Sequence, residues 1–111
     1  MLQYETARKL YEEMKEKAAV KFTGSSEDFY KFFLKAAEDY ANTRTAWACM
    51  SQAERMEDDK ARRHKHDAFI SILTAVSRNL SIDDIEEILP DRKTKGDFAC
   101  YIALFLGLEQ R

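Results

Sequence analysis

Phe29-Tyr30-Lys31-Phe32-Phe33-Leu34-Lys35-Ala36-Ala37-Glu38-Asp39-Tyr40-Ala41-Asn42-Thr43-Arg44-Thr45-Ala46-Trp47-Ala48-Cys49-Met50 is the stretch that decides the fold. Within it Phe29, Phe33, Ala36, Tyr40, Thr43, Trp47 and Met50 follow alternating steps of four and three, a spacing that returns to one side of an α-helix. A neighbouring row, Tyr30, Leu34, Ala37, Ala41 and Ala48, widens the apolar arc, and Phe32 adds to it. An arc that broad implies contact with more than one other helix. A kink at Asn42-Thr43 would have to preserve the phase of the stripe, so one continuous helix is predicted.

Upstream, a first amphipathic helix is predicted from about Leu2 to Lys21, with Ala7, Leu10, Tyr11, Met14 and Ala18 on its inner side. Thr23-Gly24 ends it: Gly24 suits a left-handed position, and Ser25 or Ser26 followed by Glu27 and Asp28 is a start signal. Downstream, two starts compete for the third helix. Ser51-Gln52-Ala53-Glu54 matches a capping box, and Asp58 or Asp59 would cap a helix beginning at Lys60. The second is preferred, giving a helix from about Lys60 to Leu80 at the centre of the fold, with Ala68, Phe69, Ile72, Ala75, Val76 and Leu80 turned inward. Ser81 would then begin a short acidic helix ending at Pro90. The basic turn Arg92-Lys93-Thr94-Lys95-Gly96 would lead into a last helix from Asp97 to Leu106, apolar around nearly its whole circumference. The expectation is all-α: residues 1–111 as a single compact bundle of about five helices.

Composition agrees. One Pro and three Gly leave little punctuation for strands and turns, while 45% hydrophobic residues supply a core. The balance of 18 basic against 20 acidic side chains lacks the overall attraction on which most binders of nucleic acid or anionic membrane rely. The N-terminus shows no basic start followed by an apolar run, and Phe98 to Leu108 is far short of the about 20 residues of a membrane span. A soluble cytoplasmic protein is expected, with Cys49 and Cys100 as buried reduced thiols.

Chemistry has few places to start. Both histidines lie in Glu57-Asp58-Asp59-Lys60-Ala61-Arg62-Arg63-His64-Lys65-His66-Asp67. The His66-Asp67 doublet resembles part of the ligand set of helical metal-dependent phosphohydrolases, but those need an upstream histidine, and none precedes His64. His64 and His66 are also about 200° apart around a helix and do not converge on one ion. There is no Gly-x-Ser-x-Gly elbow, no Gly-rich phosphate loop and no cysteine with a histidine close in sequence. No catalytic residue, metal site or cofactor is therefore assigned. Asp58–Arg62 and Asp59–Arg63 read as i,i+4 ion pairs, and His64 as the histidine nearer the buried face. Met14, Trp47, Met50 and Met56 read as core rather than as a ligand pocket.

Three functions remain. The first is a non-enzymatic interaction or regulatory module, homodimeric through surplus apolar surface at Phe29, Phe33, Tyr40, Trp47, Phe98, Tyr101 and Phe105. Arg62, Arg63, Lys65 and His66 would form a patch for an acidic partner or phosphate. The second is a DNA-associated or mobile-element accessory protein, in which Arg92, Lys93 and Lys95 join Arg62, Arg63 and Lys65. Against it, Ser81–Leu106 would offer a recognition helix with almost no polar side chains. The third is a small enzyme or ligand-binding protein centred on the histidine stretch. The residues Arg62-Arg63-His64-Lys65-His66-Asp67-Ala68-Phe69-Ile70, followed by Leu73 and Arg78, resemble a segment of small helical proteins of unknown function from gut-dwelling Gram-positive bacteria and their mobile elements. That resemblance implies a cytoplasmic helical protein and supplies no catalytic residues.

Overall fold

The computed structural model describes residues 1–110, in the order α1 (Tyr4–Lys21), a 3-10 turn (Gly24–Ser26), α2 (Glu27–Ala48), α3 (Gln52–Asn79), α4 (Ile85–Ile88) and α5 (Arg92–Glu109). The fold is all-α, with five helices and no strand among the described residues. None of these helices is long and apolar enough to cross a membrane.

The stripe from Phe29 to Trp47 forms one unbroken helix, with Met50 in the turn beyond its end, and α2 is the hub, packing on both α3 and α5. Phe33 stacks on Phe69 of α3 with ring centroids 5.8 Å apart, while Tyr40 lies against α5 at Gly96. Helix α5 is the most enclosed: Phe98, Ala99, Ile102 and Phe105 are fully buried. Its apolar circumference is mostly consumed by α1 and α2, leaving Leu104 and Leu108 exposed. Helix α1 closes the other side, with Tyr11 against Phe105 at 5.1 Å. The Tyr11 hydroxyl and Lys15 Nζ both donate to the Glu109 carboxylate, at 3.0 and 2.8 Å, tying α1 to the end of α5. Lys15, the nearest of these donors, holds the Glu109 carboxyl below its usual range.

Helix boundaries show where local signals won. Gly24 takes the left-handed conformation expected of it, at φ 60°, but Ser26 caps nothing: its hydroxyl donates to Thr23 O instead. The third helix begins at Gln52, not Lys60. Ser51 Oγ accepts from Glu54 N at 3.2 Å and Glu54 Oε1 accepts from Ser51 N at 3.0 Å, so the capping box is the true start. Asp58 and Asp59 lie inside the helix, because a cap that satisfies donors reciprocally outcompetes an isolated acid with good helix formers on both sides.

Two further expectations are corrected. Ser81 does not start a helix; it ends one, in the left-handed conformation at φ 57°. Ile82 N–H reaches Ser77 O and Ser81 N–H reaches Arg78 O, a Schellman closure normally built on glycine. The acidic helix is accordingly reduced to Ile85–Ile88. The last helix starts at Arg92, five residues early: Asp91 accepts from Thr94 N and from Thr94 Oγ1, each at 2.7 Å, and converts the basic turn into helix.

Candidate functional site

The helix expected from Lys60 to Leu80 at the centre of the bundle corresponds to the buried second half of α3, and the first half, Gln52 to Lys65, lies outside the core. The buried residues of α3, His66, Phe69, Leu73, Val76 and Ser77, all lie beyond position 65, and those of α2 all lie at or before Ala41. No residue from 42 to 65 is buried. The ends of α2 and α3 therefore leave the core together as a two-helix arm. With 28 residues α3 is about 42 Å long, comparable to the 46 Å long axis of the molecule.

The arm is held by polar and cation–π contacts instead of a core. Arg55 Nε donates to Trp47 O at 2.9 Å and Nη2 to Ala48 O at 3.1 Å, satisfying carbonyls at the end of α2. Arg62 lies over the Trp47 ring at 4.6 Å and Arg55 at 5.8 Å. Asp59 accepts from both Arg62, at 3.3 Å, and Arg63, at 2.8 Å. The expected Asp59–Arg63 pair is thus present, while Arg62 turns to Asp59 rather than Asp58. Trp47 and Met50 are half-buried, and Met56 is 75% exposed, so neither end of the arm supplies the core expected of these residues.

At the root of the arm the two histidines exchange the roles read from the sequence. His64 is exposed and His66 is buried. The His66 ring stacks on Tyr40, its Nε2 lies 3.0 Å from Arg92 O, and Arg92 Nη2 lies 3.5 Å from its Nδ1. A carbonyl only accepts, so Nε2 carries the proton and Nδ1 is free to accept. Burial, then the Arg92 charge, pushes the imidazole pKa down, which keeps the ring neutral. Arg92 also donates to Asp67 at 2.7 Å and holds that carboxyl below its usual range. This histidine joins α3 to α5, with both ring nitrogens facing Arg92.

The predicted patches are redistributed accordingly. From the first, Arg63 and Lys65 are exposed, Arg62 is folded over Trp47 and His66 is buried. From the second, Arg92 and Lys93 are exposed, whereas Lys95 is 8% exposed and bonded to Leu89 O and Glu86. Arg92 does come beside the 62–67 stretch, as a joint basic face would need, but Arg62, Arg63, Arg92 and Lys95 each hold a carboxylate. Of the expected self-association surface, Phe33, Tyr40, Phe98 and Phe105 are buried in the chain's own core, and Phe29, Trp47 and Tyr101 are half-buried. Periodicity alone does not distinguish an apolar face covered by the same chain from one left for another. The thiols also differ from expectation: Cys49 is exposed in the turn after α2, and Cys100 is half-buried with Sγ 3.8 Å from Arg44 Nη1.

Among the described residues no group of three or more His, Cys, Asp and Glu side chains is placed to hold a metal ion. What the arm does present is an ordered charge pattern: Glu57 and Asp58, then Lys60, Arg63 and Lys65, all exposed. Ala53, Ala61 and Ala68 are exposed among them. The capping box, legible but passed over, was the signal that would have revealed the arm. Comparison of the chain with protein-family models, with curated proteins and with solved structures finds no match.

Proposed function

We propose that the protein is a non-enzymatic interaction module that self-associates by antiparallel pairing of the α3 arms of two copies. The observation that carries this reading is the arm itself: residues 42–48 of α2 and 52–65 of α3 are built as regular helix, yet no residue from 42 to 65 is buried. Two helices lacking a core of their own are completed by two more, and twofold pairing is the commonest way to supply them.

The partner is a second copy because the arm is self-complementary in charge. Acidic residues precede basic ones along α3, so a twofold axis near Ala61 sets Glu57 and Asp58 of one copy opposite Lys65 and His64 of the other. Small exposed Ala61 and Ala68 permit close helix approach. The apolar aromatics first read as the dimer surface play no part. Recognition of duplex DNA draws less support, since four of the six cations it would use already hold carboxylates.

Native mass spectrometry with charge reversal tests this. The wild type is expected as a dimer, and Glu57→Lys/Asp58→Lys and His64→Glu/Lys65→Glu each as monomers. Mixing the two variants restores a heterodimer. A wild type that stays monomeric at about 100 μM, or variants that remain dimeric, would sink the reading.

A further inference from the structure

The second half of α3 carries a polar feature that the arm does not explain. Ser77 is 2% exposed, and its hydroxyl has no hydrogen-bond partner among the described residues. A helical serine or threonine ordinarily returns its hydroxyl to the carbonyl four residues back. Thr43, Thr45 and Thr74 do so, Thr74 Oγ1 reaching Ile70 O at 2.9 Å; Ser77 does not. Leaving a buried hydroxyl unpaired is unfavourable, and such groups call for a functional account.

Ser77 lines a cavity of about 280 Å³ enclosed by the end of α3, α4 and the first turns of α5. Lys95 lines it too, with Nζ donating to Leu89 O at 2.8 Å and to Glu86 Oε2 at 3.1 Å. An ammonium has three donors, so one remains. The apolar wall is Leu73, Ile82 and Ile85, and the lining charges balance, Arg78 and Lys95 against Asp83 and Glu86.

We propose that this cavity binds a small aliphatic monocarboxylate, one oxygen accepting from Lys95 and the other from Ser77, with the alkyl body on the Leu73–Ile82–Ile85 wall. Both polar groups are donors, and a carboxylate is the acceptor-only group that takes two donors with charge assistance. Glu86 already rehearses the contact. Its side chain lines the same cavity and is 69% exposed, so it is displaced by, and competes with, an entering carboxylate. The same chemistry is carried by a free short-chain acid and by a peptide C-terminus.

Amide NMR titration of the full chain separates the possibilities, using isovalerate as the free acid, N-acetylvaline as the peptide terminus and isovaleramide as the uncharged control. Saturable shifts of the Ser77, Ile82 and Lys95 amides are expected with one or both acids, and whichever binds identifies the source. Glu86→Gln is expected to tighten binding severalfold. Ser77→Ala, which removes the orphan hydroxyl and leaves the fold intact, weakens it about tenfold, the scale of one charge-assisted hydrogen bond. The proposal is overturned if neither acid saturates, if isovaleramide binds as well as isovalerate, or if Glu86→Gln leaves affinity unchanged.

Discussion

The imidazole of His66 lies nearly flat on the phenol ring of Tyr40, centroids 4.5 Å apart and planes 16° from parallel, and so joins α3 to α2. The His66 Nε2–H donates to the carbonyl of Arg92, which brings α5 to the same point. Charged groups facing it are Arg92, Arg62 and Asp67, and the net effect of burial and these charges is a lowered pKa.

Stability between pH 5 and 7 should therefore depend on pH through this residue. Above the ordinary histidine value of 6.5 both folded and unfolded chains hold it neutral, and its contribution is constant. As pH falls below 6.5 the unfolded chain takes the proton first, so stability is lost, with a slope no steeper than about 1.4 kcal/mol per pH unit for one proton. Glu109, Asp67 and Asp91, whose carboxyl pKa values are lowered, lose their contributions only at more acidic pH. Urea titrations between pH 5 and 7 should show the slope in the wild type and in His64→Ala, and not in His66→Gln. An unchanged slope in His66→Gln would assign it elsewhere.

Gly96 packs against the hydroxyl end of the same Tyr40 ring. A Cβ there would stand 3.1 Å from both Tyr40 Cε2 and Tyr40 Oη, and 3.4 Å from Arg44 Nη1. Alanine ordinarily favours a helix over glycine by about 1 kcal/mol, but Tyr40 is confined by His66 and has little room to retreat. Gly96→Ala is expected to destabilise by about 1–2 kcal/mol, the range for an overpacked core. The Gly96→Ala/Tyr40→Phe double variant, which removes one of the two crowding atoms, should recover part of that loss in thermal melts.

Ser51→Ala removes the acceptor for Glu54 N–H and should cost about 1 kcal/mol. Hydrogen exchange should locate the loss in the first turns of α3, with amides beyond Phe69 unaffected until global unfolding. Asp58→Asn and Asp59→Asn, at the alternative start, should leave that protection pattern in place.

Ser81 occupies a left-handed position without the freedom of glycine. Ser81→Gly should stabilise by about 1 kcal/mol, since the strain of a side chain there exceeds the added entropy of the unfolded chain. A denaturation midpoint equal to or below the wild type would show that the Ser81 side chain contributes something the backbone geometry does not reveal.

The reading of α2 illustrates how much of the fold is local. Six apolar residues and Thr43 at steps of four and three share one side only on a helix, and Gly24, Pro90 and the inward face of α1 follow from similarly short-range chemistry. At Ser51 and Asp59 two acceptable caps compete in one stretch, and the choice moved eight residues of α3 from expected turn to helix. At Asp91 the cap residue was visible, but its effect on the following Arg92–Gly96 turn depends on Thr94 closing the ring of hydrogen bonds.

By itself, then, the sequence determined that this chain is helical, where most helices run and which residues are apolar enough to enter a core, because helix periodicity and capping are set within a few residues. Only the tertiary structure decided which apolar face is covered by the chain itself: Phe33, Tyr40, Phe98 and Phe105 look alike in sequence whether they meet their own helices or another molecule's. It also decided that His66 and not His64 is buried, and that Ser77 and Lys95 share a cavity across 18 residues of chain. These outcomes depend on the angles at which helices cross, and side-chain packing between distant segments sets those angles.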